Sequence, residues 1–205
     1  MKKIGLTGGI GCGKSYVARI LNDYGIEVYD CDSAAKRLMA TDTNLQQRLS
    51  KAVGTEVFPD GKLCKPILAS FLLKSEENAK LIDSIVHPAV AEDFNKSGLQ
   101  WLESAILFEC GFNKYVDLTV CVTAPLEVRI QRVMQRDNIT RDQVIDWMNR
   151  QMSQEDKVKL ADFTISNDDC NAHTAPSNNP NEQSNDLRRQ IENLIQEIAI
   201  IDTQN

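Results

Sequence analysis

Near the N-terminus the chain reads Gly8-Gly9-Ile10-Gly11-Cys12-Gly13-Lys14-Ser15. This fits G-x-x-x-x-G-K-[ST] at Gly8, Gly13, Lys14 and Ser15, between a short apolar strand (Lys3 to Thr7) and a helical stretch (Tyr16 to Tyr24). Glycines let successive backbone N–H groups turn inward as an anion cradle, and a helix beginning near Lys14 adds the positive end of its dipole. Lys14 suits the β- and γ-phosphates of a nucleoside triphosphate, and the Ser15 hydroxyl suits Mg²⁺. The nucleotide-binding set read here is Gly8, Gly11, Cys12, Gly13, Lys14, Ser15 and Tyr16. An ordinary glycine-rich turn is the bland alternative, and the full motif between strand and helix argues against it.

A second chemical cluster follows the next strand. Ile26 to Tyr29 delivers Asp30-Cys31-Asp32 to the carboxyl end of an α/β sheet, where ligands bind. An aspartate there can orient and deprotonate an acceptor hydroxyl in phosphoryl transfer, which is the reading for Asp32. Asp30 suits substrate or a metal-bound water. The competing reading makes Asp32 a helix N-cap, with the helix beginning near Ser33.

Further candidates lie downstream. His87, before Pro88, is read as a substrate contact or a structural histidine, and Pro88 as the start of a new helix. Trp101 to Leu107 reads as the third strand. Glu103 and Glu109 beside it are candidates for metal-water or substrate contacts, or solvated acids. Arg132 and Arg136 share a helical face and Arg141 follows; they read as a lid over a triphosphate or as a face paired with Glu127, Asp137 and Asp142. Thr140 and Gln143 have capping-box spacing.

The elements that must hold these groups alternate strand and helix, with helical stripes across residues 41–99. The chain has 205 residues, 42% hydrophobic and 25% charged, as expected for one globular domain with inserted parts. A net charge of −6 argues against general nucleic-acid binding. The six cysteines are scattered without a C-x-x-C pair, so a structural zinc site is not expected and a reducing cytosol fits. Neither a signal peptide nor a membrane-spanning run is read, and the expected location is cytoplasmic. Asn171 to Asn185 reads as a flexible polar loop, and Asp186 to Ile201 as a final amphipathic helix.

In this order the pieces resemble the dephospho-coenzyme A kinase family along nearly the whole chain. The likeness is carried by Ile4 through Ser15, Tyr29-Asp30-Cys31-Asp32, Phe58 through Leu63, Ile85-Val86-His87-Pro88, Ile106-Leu107-Phe108-Glu109, Gln151, and Ala161-Asp162 through Asn167. The resemblance implies an α/β P-loop NTPase three-layer sandwich with a five-stranded parallel sheet. The core is expected at about 1–40, 100–125 and 160–205, a helical substrate-binding insertion at 41–99 and a lid at 126–159. It also implies transfer of the γ-phosphoryl group of ATP, with Mg²⁺, to the ribose 3′-hydroxyl of dephospho-coenzyme A, the last step of coenzyme A synthesis. Asp32 then becomes the base, with Lys14 and Arg136 as catalytic partners. Asp30, His87 and Glu109 line the substrate cleft, Arg136 and Arg141 take lid positions, and Asn167 lies near the adenine.

The expected partners are ATP and dephospho-coenzyme A, with no nucleic acid or membrane, for a monomer or weak homo-oligomer. Two departures stand out: Cys12 replaces a small hydroxyl residue and suggests oxidation sensitivity, and Asp146 stands where many relatives carry Arg. Another P-loop kinase for a nucleotide or nucleoside is the first alternative. A non-enzymatic nucleotide switch is the second, although no N-K-x-D guanine-reading motif is found.

Overall fold

The computed structural model describes the backbone of residues 1–168 and 180–203, and the side chains of 1–168 and 186–203. Strand β1 (Ile4–Gly8) is buried at every residue and β4 (Leu118–Thr123) at its central four. Strands apolar on both faces belong in the middle of a parallel sheet covered by helices. β1 pairs in parallel with β3 (Trp101–Glu103), Leu6 opposite Glu103, and with β4, Gly8 opposite Val122. β4 pairs in parallel with β5 (Phe163–Ser166), and with β2 (Val28–Asp30) the strand order is β2-β3-β1-β4-β5. The expected five-stranded α/β sheet is therefore present. The loop that leaves β1 starts at the centre of the sheet, between the carboxyl ends of β3 and β4.

The chain divides into two units, Met1–Val28 with Gln100–Asn205, and Tyr29–Leu99. The second unit contains the insertion expected at 41–99 and also takes in residues 29–40, which the sequence reading had assigned to the core. In the first unit, α1 (Lys14–Asp23) buries Val17, Ile20 and Leu21, and α9 (Pro180–Thr203) buries Leu187, Ile191, Leu194 and Ile198. Burial of each such side chain contributes roughly 1.5–3 kcal/mol, so packing rather than propensity fixes these helices. α6 (Leu126–Asp137) and α7 (Arg141–Met148) share a smaller core of Ile130, Val133 and Val144. The Thr140–Gln143 capping box opens α7 as the spacing predicts. α8 (Gln154–Leu160) leads into β5.

In the second unit α2 (Cys31–Thr41), α3 (Thr43–Val53) and α4 (Lys65–Lys74) each pack against α5 (Glu76–Ser97). The Tyr29 hydroxyl donates to Asp93 Oδ2 at 2.6 Å, and the Arg37 guanidinium grips the same oxygen. Burial and the Asp93 carboxylate together raise the Tyr29 pKa, which keeps the phenol a donor.

Four elements depart from the sequence reading. The third strand ends at Glu103 rather than Leu107, because the Ser104 hydroxyl accepts from the Ile106 N–H at 3.3 Å and turns the chain. The second helix begins at Cys31 rather than Ser33, for a reason set out below. The last helix starts at Pro180, before its apolar stripe begins at Leu187, so periodicity could not mark its first turns. The rest of the polar segment, 171–179, lies outside the described residues.

The fourth departure is Pro88, which starts no helix but lies inside α5. Buried Ile82, Ile85 and Val86 before it and Val90, Ala91 and Phe94 after it hold the helix continuous. Pro88 removes the N–H that would bond the Ser84 carbonyl, which costs up to about 3 kcal/mol in a helix interior. Its own side chain is exposed. We expect Pro88→Ala to raise stability by about 1–3 kcal/mol in urea unfolding. A lower midpoint would contradict the continuous helix.

Candidate active site

The loop between β1 and α1 is held from outside by its carbonyls. The Arg129 Nε donates to the Ile10 carbonyl at 2.8 Å, and the Asn167 Nδ2 donates to the Cys12 carbonyl at 2.9 Å. Arg132 adds longer contacts of 3.4 Å to the Gly11 and Cys12 carbonyls and donates to the Asn167 carbonyl at 3.1 Å. A trans peptide sets its C=O and N–H on opposite sides. Fixing the Ile10 and Cys12 carbonyls outward therefore turns the Gly11 and Gly13 N–H groups inward. Together with the N–H groups of Lys14 and Ser15 at the start of α1, these have no hydrogen-bond partner among the described residues. That is an anion cradle in the sense the motif predicts.

Gly11 is required by two constraints at once. Its φ is +80°, and a Cβ there would lie 2.5 Å from the Arg129 carbonyl oxygen of α6. Only a residue without a side chain lets the helix backbone come this close.

The cradle opens into a cavity of about 420 Å³ lined by Gly11, Gly13, Lys14, Ser15, Tyr16, Arg19, Arg132, Val133, Gln135 and Arg136. Four of these side chains are cations and none is acidic, although the chain carries a net charge of −6. The Lys14 ammonium rests on the Gly8 carbonyl at 3.1 Å, and the Arg19 guanidinium lies over the Tyr16 ring, 5.3 Å from its centroid. Arg136 reaches the cavity while pairing with Asp137 at 2.6 Å. Ser15 Oγ lies 3.5 Å from Glu103 Oε1 at the end of β3. A hydroxyl and a carboxylate side by side are the hard oxygen donors that Mg²⁺ takes, so this pair fits the ion expected there.

Other expected site residues have different placements. Glu109 is engaged structurally: its Oε1 meets the fully buried Lys157 ammonium at 2.8 Å and accepts from the Met152 N–H at 3.0 Å. Lys157 also donates to the Ala105 carbonyl, tying the turn after β3 to α8. Arg141 is exposed and forms a two-bond pair with Glu127, both at 2.6 Å, so for Arg141 and Arg136 the paired-face reading describes this conformation. Asn167 is 2% exposed and clamps the loop backbone. Cys12 is fully buried in the core under the loop, which removes the exposure that oxidation sensitivity requires. Asp146 is exposed on α7.

Asp30, Asp32 and His87 belong to the second unit. The helix cap is Asp30 and not Asp32. Asp30 Oδ1 accepts from the N–H groups of Asp32 and Ser33 at 2.9 and 3.1 Å, and its Oδ2 accepts from the Ser33 hydroxyl at 2.6 Å. This cap is why α2 begins at Cys31. It consumes the Asp30 carboxylate and leaves that of Asp32 exposed, with no hydrogen bond or ion pair among the described residues. His87 Nε2 lies 3.6 Å from Asp83 Oδ1. Burial pulls the His87 pKa below its ordinary value of 6.5 against the opposing pull of Asp83, favouring the neutral ring near pH 7.

Sequence reasoning missed three groups. Arg129, Lys157 and the clamping role of Asn167 all act through contacts between residues far apart in the chain, and no local spacing announces them. The signal in principle was an Arg one turn before Arg132, on the same helical face.

The chain resembles known proteins along most of its length. The family model described as dephospho-CoA kinase matches residues 2–173. A dephospho-CoA kinase of Bacteroides fragilis is 43% identical over 177 residues, covering 81% of this chain and 84% of the relative. The crystal structure of TT1252 from Thermus thermophilus superposes with a TM-score of 0.75 at 32% identity, covering 96% of this chain and 97% of that one. A dephospho-CoA kinase from Campylobacter jejuni, 21% identical and covering 96% and 97% of the two chains, shares the fold with a TM-score of 0.55. The resemblance first drawn from the phosphate loop, the Asp-x-Asp and the His-Pro pair is thereby borne out, and the chain belongs to the dephospho-CoA kinase family.

Proposed function

We propose that this chain transfers the γ-phosphoryl group of ATP to the ribose 3′-hydroxyl of dephospho-CoA, giving CoA and ADP. The observation that carries the phosphate half of this reading is the cavity at the glycine loop, which among the described residues has four unpartnered N–H groups on its wall, four cationic side chains and no acid. Family membership supports the acceptor.

Each residue then has a physical task. The N–H groups of Gly11, Gly13, Lys14 and Ser15 bind phosphate oxygens without reorganising, since their peptides are already fixed from outside. Lys14 exchanges the Gly8 carbonyl for the β- and γ-phosphates. Arg132 and Arg136 face the charge that spreads over the transferred group. Ser15 and Glu103 would hold Mg²⁺, which neutralises phosphate charge when bound. Asp32 orients the acceptor hydroxyl and takes its proton. The exposed, uncommitted carboxylate at the start of α2 supports that role, and the capping duty of Asp30 removes its neighbour from competition. His87, held toward the neutral state, serves as a contact for the acceptor. The helices between 126 and 159 act as the lid, and Arg141 leaves Glu127 for the nucleotide when the lid closes; an exposed pair of this kind is only weakly held in water.

The acceptor is tested by measuring ADP release with ATP, Mg²⁺ and a panel of dephospho-CoA, AMP and adenosine. Dephospho-CoA should be turned over fastest by at least an order of magnitude. Comparable rates with AMP or adenosine would move the chain to another kinase activity.

Two substitutions test the roles. Asp32→Asn leaves the Asp30 cap intact, so the unfolding midpoint and ATP affinity should hold while kcat falls about 10²–10⁴-fold. Turnover near wild type would remove Asp32 as the base. Lys14→Ala should lower kcat/KM for ATP by about 10²-fold or more through loss of charge at the phosphates, and a loss under threefold would count against the site.

A further inference from the structure

Arg129 is a buried cation without a buried anion. It is 7% exposed, and among the described residues its guanidinium makes one hydrogen bond, from Nε to the Ile10 carbonyl. No carboxylate among the described residues stands within ion-pair distance of it. Burial lowers its pKa against the opposing pulls of Cys12 and Glu155. Such a group is costly to keep, because a buried charge needs a partner to offset lost hydration.

The guanidinium lies directly beneath the phosphate loop. A Cβ on Gly9 would meet Arg129 Nη2 at 2.4 Å and Cζ at 2.8 Å, so Gly9 is the residue whose missing side chain admits it. The charge therefore sits against one face of the loop, while the other face carries the inward N–H groups and the cavity. Through this little shielded backbone the field of Arg129 reaches any anion in the cradle.

We propose that Arg129 is a further cation of the phosphate site, a positioning residue that acts from beneath Gly9, and that the bound polyphosphate is its missing counter-ion. This rests on the phosphate-loop reading and adds to it a charge that touches no ligand. Arg129 destabilises the free protein and stabilises the loaded one.

The test compares Arg129→Met with Arg129→Lys, using inorganic tripolyphosphate as the probe in calorimetric titration and thermal unfolding without ligand. In Arg129→Met the ligand-free midpoint should stay or rise, while tripolyphosphate binding weakens about tenfold. Arg129→Lys, which keeps both the charge and an N–H donor for the Ile10 carbonyl, should recover most of that affinity. A merely structural arginine would lower the midpoint in both variants and give them equal affinity losses. Unchanged tripolyphosphate affinity in Arg129→Met, or a loss shared in full by Arg129→Lys, overturns the proposal. Should Arg129→Met fail to fold, Arg129→Gln keeps a donor for Ile10 and must show the same loss. Wild-type protein that binds no tripolyphosphate overturns the phosphate-loop reading itself, a result distinct from failure of Arg129 alone.

Discussion

The site depends on the way the peptides of one short loop are held. A glycine-rich loop has many accessible conformations, and a cradle that formed only on binding would lose affinity to ordering. Here the ordering is done by the fold. Side chains from α6 and from the residue after β5 take the Ile10 and Cys12 carbonyls, and peptide planarity then fixes where the N–H groups face. The glycines are needed for the same reason: α6 and its Arg129 approach so closely that no side chain fits.

This arrangement also explains how an acidic chain binds a highly charged anion. No acidic side chain among the described residues lines the cavity, whose wall collects Lys14, Arg19, Arg132 and Arg136. α6 serves both ends of the task. Its apolar residues Ile130 and Val133 pack into the core shared with α7, and its arginines turn toward the loop. Division of labour recurs at the start of α2, where Asp30 caps the helix and the Asp32 carboxylate stays exposed.

Much of this was legible in the sequence. The phosphate loop is a local pattern whose spacing follows from backbone geometry, so the strand, the glycine turn and the helix start around Gly8 to Ser15 could be read directly. β-branched runs marked β4 and β5, and the Thr140–Gln143 pair marked a helix start. What escaped notice depends on distant partners. Nothing near Glu109 foretells that Lys157 will neutralise it, and nothing near Asn167 foretells the Cys12 carbonyl. Pro88 misled because local stiffness was outweighed by six buried side chains on the same helix. The Asp30–Asp32 pair misled in another way, since either residue satisfies the cap rule and only the observed hydrogen bonds choose between them.

The central claim is that the cradle is preformed and kept in place by its outward carbonyl bonds. A crystal structure with a non-hydrolysable ATP analogue tests it most directly. The account predicts the triphosphate in the Gly8–Ser15 loop, with the Arg129–Ile10 and Asn167–Cys12 bonds retained and the loop backbone displaced by less than about 1 Å. A triphosphate bound elsewhere, or a loop that breaks both bonds to receive it, would contradict the account.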